Sequence, residues 1–123
     1  MNPSTVVYAI EKDEGDENYR ILKENERILG KARDQDGNPL DIIPIPMPGR
    51  SGEGARLPAS YLNFFIGNRT VLVPVFSDPN DDKALMIVRE VFPGRQVTGI
   101  DCRALVEGMG AIHCITQQQP RVG

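Results

Sequence analysis

The chain has 123 residues, enough for one modest hydrophobic core; 40% of them are hydrophobic and 25% are charged. A formal net charge of -3 gives no basic footprint, which argues against nucleic acid or an anionic membrane surface as a partner. No apolar run approaches the roughly 18 residues of a membrane span, no signal peptide is visible, and the two cysteines form no disulfide framework. A cytoplasmic protein is expected.

The first half of the chain predicts a strand, a helix and a second strand. Residues 5–10 are β-branched and continuously apolar, which is typical of a strand that is buried on both faces. Asp16 is placed to cap a helix that runs to about Arg33 and carries a narrow apolar stripe. Residues 40–45 predict the second strand, and the Pro/Gly-rich residues 46–55 predict a loop.

The second half predicts more strands, one helix and one helical turn. A glycine-containing turn at residues 67–69 indicates a hairpin. Apolar residues between positions 84 and 92 follow the spacing of a buried helix face, and Pro93-Gly94 ends that helix. In chain order, strands are expected at residues 61–66, 70–76, 96–100 and about 112–115, and the helical turn at residues 101–106.

The layout repeats. The strand that begins at Thr5 is followed by an acidic turn, a helix and a strand, and the same sequence of elements begins again at Thr70. The offset of about 65 residues is longer than the period of the common solenoids. Units of this length indicate either a propeller of mixed α/β blades or a doubled α/β sandwich.

The most informative segment is residues 108–120, Gly-Met-Gly-Ala-Ile-His-Cys-Ile-Thr-Gln-Gln-Gln-Pro. Glycines allow a backbone to approach a ligand closely, and a thiolate is a strong nucleophile at neutral pH. The segment resembles the nucleophile motif Gly-Gly-Gly-Asn-Ile-His-Cys-Ile-Thr-Gln-Gln of agmatine deiminases and bacterial peptidylarginine-deiminase-like proteins. Met109 and Ala111 depart from the family's Gly and Asn, which leaves the nucleophile intact but puts substrate placement in doubt.

The resemblance assigns site residues. It implies that Cys114 is the catalytic nucleophile and that Gly108 and Gly110 belong to a loop whose carbonyls accept guanidinium N–H groups. Residues 57–64 also resemble the family's Leu-Pro-Ala-Ser-Tyr-x-Asn-Phe segment, whose asparagine, here Asn63, lies near the substrate or the nucleophile. From the residues alone, Asn63 could equally be a strand-edge amide bonded to backbone, and each glycine could belong to a plain tight turn. Cys102 matches no catalytic position and is expected to be buried and free.

His113 is the single histidine of the chain. Neighbouring side chains of an extended segment point to opposite faces, so His113 is expected to be a packed or hydrogen-bonded residue rather than the base for Cys114. The family takes its acid/base histidine from a His-x-Asp motif, which is absent here and is expected shortly upstream of a segment like residues 5–10. Met1 would then not be the natural start, and the isolated chain would be inactive.

The resemblance therefore implies a fold and a reaction. The fold is α/β, the last two or so blades of a five-bladed α/β propeller, with residues 1–123 as the carboxy-terminal fragment of a single deiminase catalytic domain. The reaction is hydrolysis of agmatine to N-carbamoylputrescine and ammonia, in putrescine and polyamine biosynthesis, without cofactor or metal. Unpaired sheet edges and exposed helix faces predict a homo-oligomer.

Three alternatives stay open at the level of the sequence. A protein-arginine deiminase would use the same chemistry on a peptide side chain. A thiol amidinotransferase-like or other guanidine-handling hydrolase would share the nucleophile and the fold. A degenerate, non-catalytic α/β module would explain the altered loop at Met109 and Ala111.

Overall fold

The computed structural model describes residues 2–49 and 57–122, which form two strand–helix–strand units. In the first unit, strand β1 (Thr5–Ile10) leads to helix α1 (Tyr19–Lys31) and strand β2 (Asp41–Pro46). The two strands pair in parallel, with Thr5 opposite Asp41. A helix between two parallel strands is the crossover that such pairing requires.

The second unit repeats this arrangement and adds a hairpin strand. Strand β3 (Phe65–Ile66) pairs antiparallel with β4 (Thr70–Val75), helix α2 (Asp81–Val91) follows, and β5 (Gln96–Asp101) pairs in parallel with β4. The sheet order is β3-β4-β5. A short helix α3 (Arg103–Val106) and a 3-10 helix (His113–Ile115) come after β5. The predicted repeat is thus confirmed as two parallel β-α-β units in a mixed α/β structure, while the number of propeller blades stays a prediction.

One hydrophobic core joins the two units. Ala84, Val88 and Val91 are buried on α2 at the spacing of a single helix face, as the sequence predicts. Val71 and Val73 of β4 are fully buried against them, and Ile45 brings β2 of the first unit into the same cluster. The buried members are Ile45, Tyr61, Val71, Val73, Ala84, Val88, Val91, Phe92 and Val97.

The first unit is less buried than its sequence predicts. Only Tyr8 of β1 is buried, so the prediction of a strand covered on both faces is wrong in this chain. Helix α1 contains no buried residue and begins at Tyr19 rather than beside Asp16. The Asp16 carboxylate instead accepts the N–H of Asn18 at 2.8 Å, which closes a turn before the helix.

Two predicted strands differ in the structure. Of residues 61–66 only Phe65–Ile66 is a strand, because the N–H of Asn63 bonds to the carbonyl of Ser60 in a turn. Residues 113–115 form the 3-10 helix instead of a strand, since the Ile115 N–H bonds to the Ile112 carbonyl. Of the loop predicted at residues 46–55, positions 50–55 lie outside the described residues. No helix in the described part of the chain is long and apolar enough to cross a membrane.

Candidate active site

The sulfur of Cys114 and the side chain of Asn63 meet although they lie 51 residues apart in the chain. The Asn63 Nδ2 donates a hydrogen bond to the Cys114 Sγ at 3.0 Å. The backbone N–H of His113 donates to the Asn63 carbonyl at 3.2 Å. Two bonds therefore hold the 3-10 helix that carries the cysteine against the segment that precedes β3.

The segment around Asn63 is anchored from both sides by aromatic residues. Tyr61 is fully buried, and its hydroxyl donates to the Asp81 Oδ1 at 2.8 Å. Burial, followed by this contact, raises the pKa of Tyr61, so its hydroxyl keeps its proton. On the other side, the rings of Phe64 and Phe92 lie 5.8 Å apart in an edge-to-face arrangement. Asn63 is thus fixed by packing of its neighbours on the main core.

A second, smaller core fixes the loop that carries Cys114. Ala111 and Ile112 are 0% and 5% exposed and pack with the buried Cys102. Cys114 itself is exposed and free. Burial of the two residues before the 3-10 helix leaves the cysteine at the surface, where a ligand can reach it. Cys102 is buried and free, as the sequence predicts.

Gly110 has no room for a side chain. A Cβ at this position would lie 2.9 Å from the Cβ of Cys114, closer than real Cβ atoms approach, and 3.1 Å from its Sγ, which is a tight contact. Gly108 is less constrained, because its nearest neighbour would be the Leu105 carbonyl at 3.3 Å. The requirement for glycine in this loop therefore comes from contact with the cysteine at Gly110.

Met109 adopts a left-handed backbone conformation with φ of 69° and is 73% exposed. Residues other than glycine seldom adopt this conformation. The side chain borders a surface pocket of about 370 Å³ that is also lined by Met47 and residues 57–60. The departure from glycine at this position was visible in the sequence, whereas its backbone conformation and the pocket beside it were not.

The two cysteines differ in acidity. The pKa of Cys114 is lowered, first by the side-chain N–H of Asn63 and then by the backbone N–H groups of Ala111 and of Cys114 itself. Burial raises the pKa of Cys102, and the charge of Asp101 adds to the effect. Hydrogen bonds to the charged form favour a thiolate, and loss of water disfavours it. Cys114 is therefore the more nucleophilic of the two.

The sequence predicts that His113 is packed or hydrogen-bonded; the residue is exposed, so the packed position is wrong. Its backbone N–H, rather than its imidazole, makes the contact with Asn63. The prediction assumed an extended segment, in which neighbouring side chains point to opposite faces, whereas residues 113–115 are helical. Among residues 2–49 and 57–122, no group of three or more His, Cys, Asp or Glu side chains is arranged to hold a metal ion.

Comparison with known proteins places the chain in a family. The sequence profile of the Porphyromonas-type peptidyl-arginine deiminases matches residues 1–120. A curated protein of Legionella pneumophila (strain Paris), named "Putative agmatine deiminase", is 38% identical over 121 residues, which is 97% of this chain and 35% of the relative. The chain thus spans roughly a third of the length of the curated relatives it matches.

Solved structures give the same result. A crystal structure of the "Putative Arginine Deiminase" of Porphyromonas gingivalis superposes with a TM-score of 0.93 at 43% identity, over 98% of this chain and 36% of that one. The agmatine deiminase of Enterococcus faecalis has a TM-score of 0.90 at 30% identity, over 97% of this chain and 37% of that one. Since the family profile covers nearly the whole chain, the chain belongs to the Porphyromonas-type peptidyl-arginine deiminase family.

Proposed function

We propose that this chain carries the nucleophile of an agmatine deiminase-like hydrolase, and that Cys114 is that nucleophile. The observation that carries the proposal is the exposed Cys114 sulfur, which accepts a hydrogen bond from Asn63 at 3.0 Å and has a lowered pKa. A surface thiol with these donors is suited to attack a cationic carbon. The similarity to agmatine deiminases over nearly the whole chain supports the choice of substrate.

The proposed reaction has two halves. The Cys114 thiolate attacks the central carbon of the agmatine guanidinium, a C–S bond forms, and the C–N bond to one terminal nitrogen breaks. That nitrogen takes a proton and leaves as ammonia, which leaves an S-alkylthiouronium. Water then adds to the same carbon and gives up both of its protons, one of which replaces the proton that left with ammonia; the C–S bond breaks, and N-carbamoylputrescine is released with the thiolate restored. Splitting one difficult hydrolysis into two steps is the general logic of nucleophilic catalysis.

Other residues of the chain have proposed roles in binding. We propose that the backbone carbonyls of Gly108 and Gly110 accept guanidinium N–H groups; the position of Gly110 supports this, since a Cβ there would lie 3.1 Å from the Cys114 Sγ. Asn63 contacts the Cys114 sulfur itself. Within residues 2–49 and 57–122, the donors that face the Cys114 sulfur are amide N–H groups, and His113 donates its backbone N–H to Asn63. We therefore propose that the acid/base histidine and the carboxylates that grip the cation are not among residues 1–123.

The setting of the proposed reaction follows from its chemistry. N-carbamoylputrescine is one hydrolysis away from putrescine, so the proposed role is in putrescine and polyamine biosynthesis. A cysteine nucleophile must stay reduced to act, and both cysteines of this chain are free, which fits an enzyme of the cytoplasm. The mechanism requires neither a metal nor an organic cofactor.

A second candidate function is deimination of arginine side chains in proteins. It is favoured by the description of the matching family, Porphyromonas-type peptidyl-arginine deiminase, and by the exposure of Cys114. Both candidates use the same thiolate chemistry and differ in what is attached to the guanidinium. A non-catalytic module is a third candidate, because the loop departs from the family motif at Met109 and Ala111.

The test measures ammonia release by the protein purified from its natural source. Agmatine and an arginine-containing peptide are the alternative substrates. We expect the unmodified protein to turn over agmatine and the Cys114→Ala variant to have lost this activity. The variant should still bind agmatine within about tenfold of the unmodified protein, roughly 1.4 kcal/mol. Cys102→Ala, which removes the buried thiol, is the matched control and should keep turnover. Release from the peptide alone would support the protein-arginine function, and no release from either would support the non-catalytic module.

A further inference from the structure

Asn63 makes more contacts with the cysteine segment than a residue that only binds substrate requires. Its Nδ2 donates to the Cys114 Sγ at 3.0 Å. Its backbone carbonyl accepts the His113 N–H at 3.2 Å, and its backbone N–H donates to the Ser60 carbonyl at 3.2 Å. The backbone of Asn63 is thus fixed at both ends, and its side-chain amide has one defined contact, with the sulfur.

The other half of this amide is left without a partner. Within the described residues, the Asn63 Oδ1 is buried and accepts no hydrogen bond. Buried acceptors are nearly always paired, and an unpaired one weakens the folded state. A leucine side chain has nearly the same shape and would bury no unpaired oxygen. The fold alone therefore does not explain an amide here, whereas the N–H that faces Cys114 does.

The orientation of the Asn63 side-chain amide decides whether it stabilises or repels a thiolate at Cys114. With Nδ2 toward Cys114, the amide donates to a thiolate, which is an acceptor only. With the amide turned over, Oδ1 would face the thiolate and repel it. The other donors to the sulfur in the described part of the chain are the backbone N–H groups of Ala111 and Cys114. The side-chain N–H of Asn63 is therefore the contact that mutation can remove without altering the loop.

We propose that Asn63 is a positioning residue for the Cys114 thiolate, which it holds at the protein surface through its side-chain N–H, and is not a substrate-binding residue. The inference deepens the proposed function, because it takes Cys114 as the nucleophile. It differs from what the family resemblance implies, since the resemblance leaves Asn63 near either the substrate or the nucleophile and we assign its amide to the nucleophile.

The test follows the alkylation of Cys114 by iodoacetamide as a function of pH in the folded chain, with mass spectrometry to separate its peptide from that of Cys102. Asn63→Leu should raise the pH midpoint of alkylation by about one unit, a tenfold loss of thiolate below the midpoint. The urea midpoint of unfolding should not fall. Asn63→Asp, which keeps the shape but places a negative charge beside the sulfur, should raise the alkylation midpoint further. Asn25→Asp on the exposed face of α1 is the matched control and should change nothing.

Each other outcome decides the question. An unchanged alkylation midpoint in a folded Asn63→Leu chain would overturn the proposal, and if that variant fails to fold, Asn63→Ala, which removes the N–H without adding a charge, decides by the same criterion. If the midpoint is unchanged and Asn63→Leu raises KM for agmatine with kcat intact, Asn63 binds substrate instead. If the midpoint shifts as expected but the parent protein releases no ammonia from agmatine, the proposed function fails and the role of Asn63 stands.

Discussion

A methyl group on Gly110 would lie 2.9 Å from the Cβ of Cys114 and 3.1 Å from its sulfur. The absence of a side chain at Gly110 is therefore needed to make room for Cys114, in addition to any flexibility that the glycine gives the loop. Any larger residue must displace either the loop or the cysteine.

Gly110→Ala should destabilise the chain by about 1–3 kcal/mol, the usual cost of overpacking, and slow the alkylation of Cys114 at neutral pH. Urea unfolding and iodoacetamide labelling measure the two effects. Gly94→Ala is the control, because a Cβ at Gly94 meets no atom within 4 Å. Equal stability of the Gly110→Ala and parent chains would show that the loop relaxes without cost.

Met109→Gly should leave stability unchanged or raise it by up to about 1 kcal/mol. The left-handed φ of 69° strains a methionine and suits glycine, although the glycine also gives the unfolded chain more freedom. Met86→Gly, at a position 55% exposed on α2, is the matched control and should cost about 1 kcal/mol. Urea unfolding of the pair checks the prediction, and equal losses in both variants would contradict it.

The two cysteines should react at very different rates. The pKa of Cys114 is lowered by the N–H of Asn63 and that of Cys102 is raised by burial, so at neutral pH the thiolate fraction is larger at Cys114. We expect alkylation of Cys114 to be more than about tenfold faster, since each unit of pKa changes the thiolate fraction tenfold. The rate at Cys114 should fall only as pH drops below its lowered pKa. Labelling at equal rates in the native chain would refute this; equal rates are expected only in urea.

His113→Ala should change the free energy of unfolding by less than about 0.5 kcal/mol, because the side chain is exposed and the backbone N–H that bonds to Asn63 is retained. The pH profile of Cys114 alkylation should also stay the same. A shift of that profile in a stable His113→Ala chain would mean that the imidazole acts on the sulfur, and that our placement of the base outside these residues is wrong.

The exposed face of α1 predicts self-association of the 123-residue chain. Ile21 and Ile28, 62% and 52% exposed, lie seven residues apart on one stripe of a helix that has no buried residue. Light scattering should show dimers or larger species as concentration rises, and the double variant Ile21→Lys, Ile28→Lys should remain monomeric. Met86→Lys on α2 is the control. A parent chain that is monomeric at high concentration would contradict the prediction.

The sequence by itself determined the two β-α-β units, the hairpin turn, the buried face of α2 and the contrast between a motif cysteine and a buried one. These features depend on local properties: apolar spacing at Ala84, Val88 and Val91, and turn residues at positions 67–69 and 93–94. The strand–helix–strand pattern depends on residues that are close in the sequence, so it could be predicted without knowing which distant segments are in contact.

Only the tertiary structure decided how Cys114 is presented. The Asn63 amide comes from a segment 51 residues away, and the sequence left it equally suited to a strand edge. The same long-range contact, through the Asn63 carbonyl and the His113 N–H, accompanies a 3-10 helix where apolar residues predicted a strand. A backbone donor takes whichever acceptor the fold brings within about 3 Å, and that choice depends on packing of distant segments rather than on local propensity.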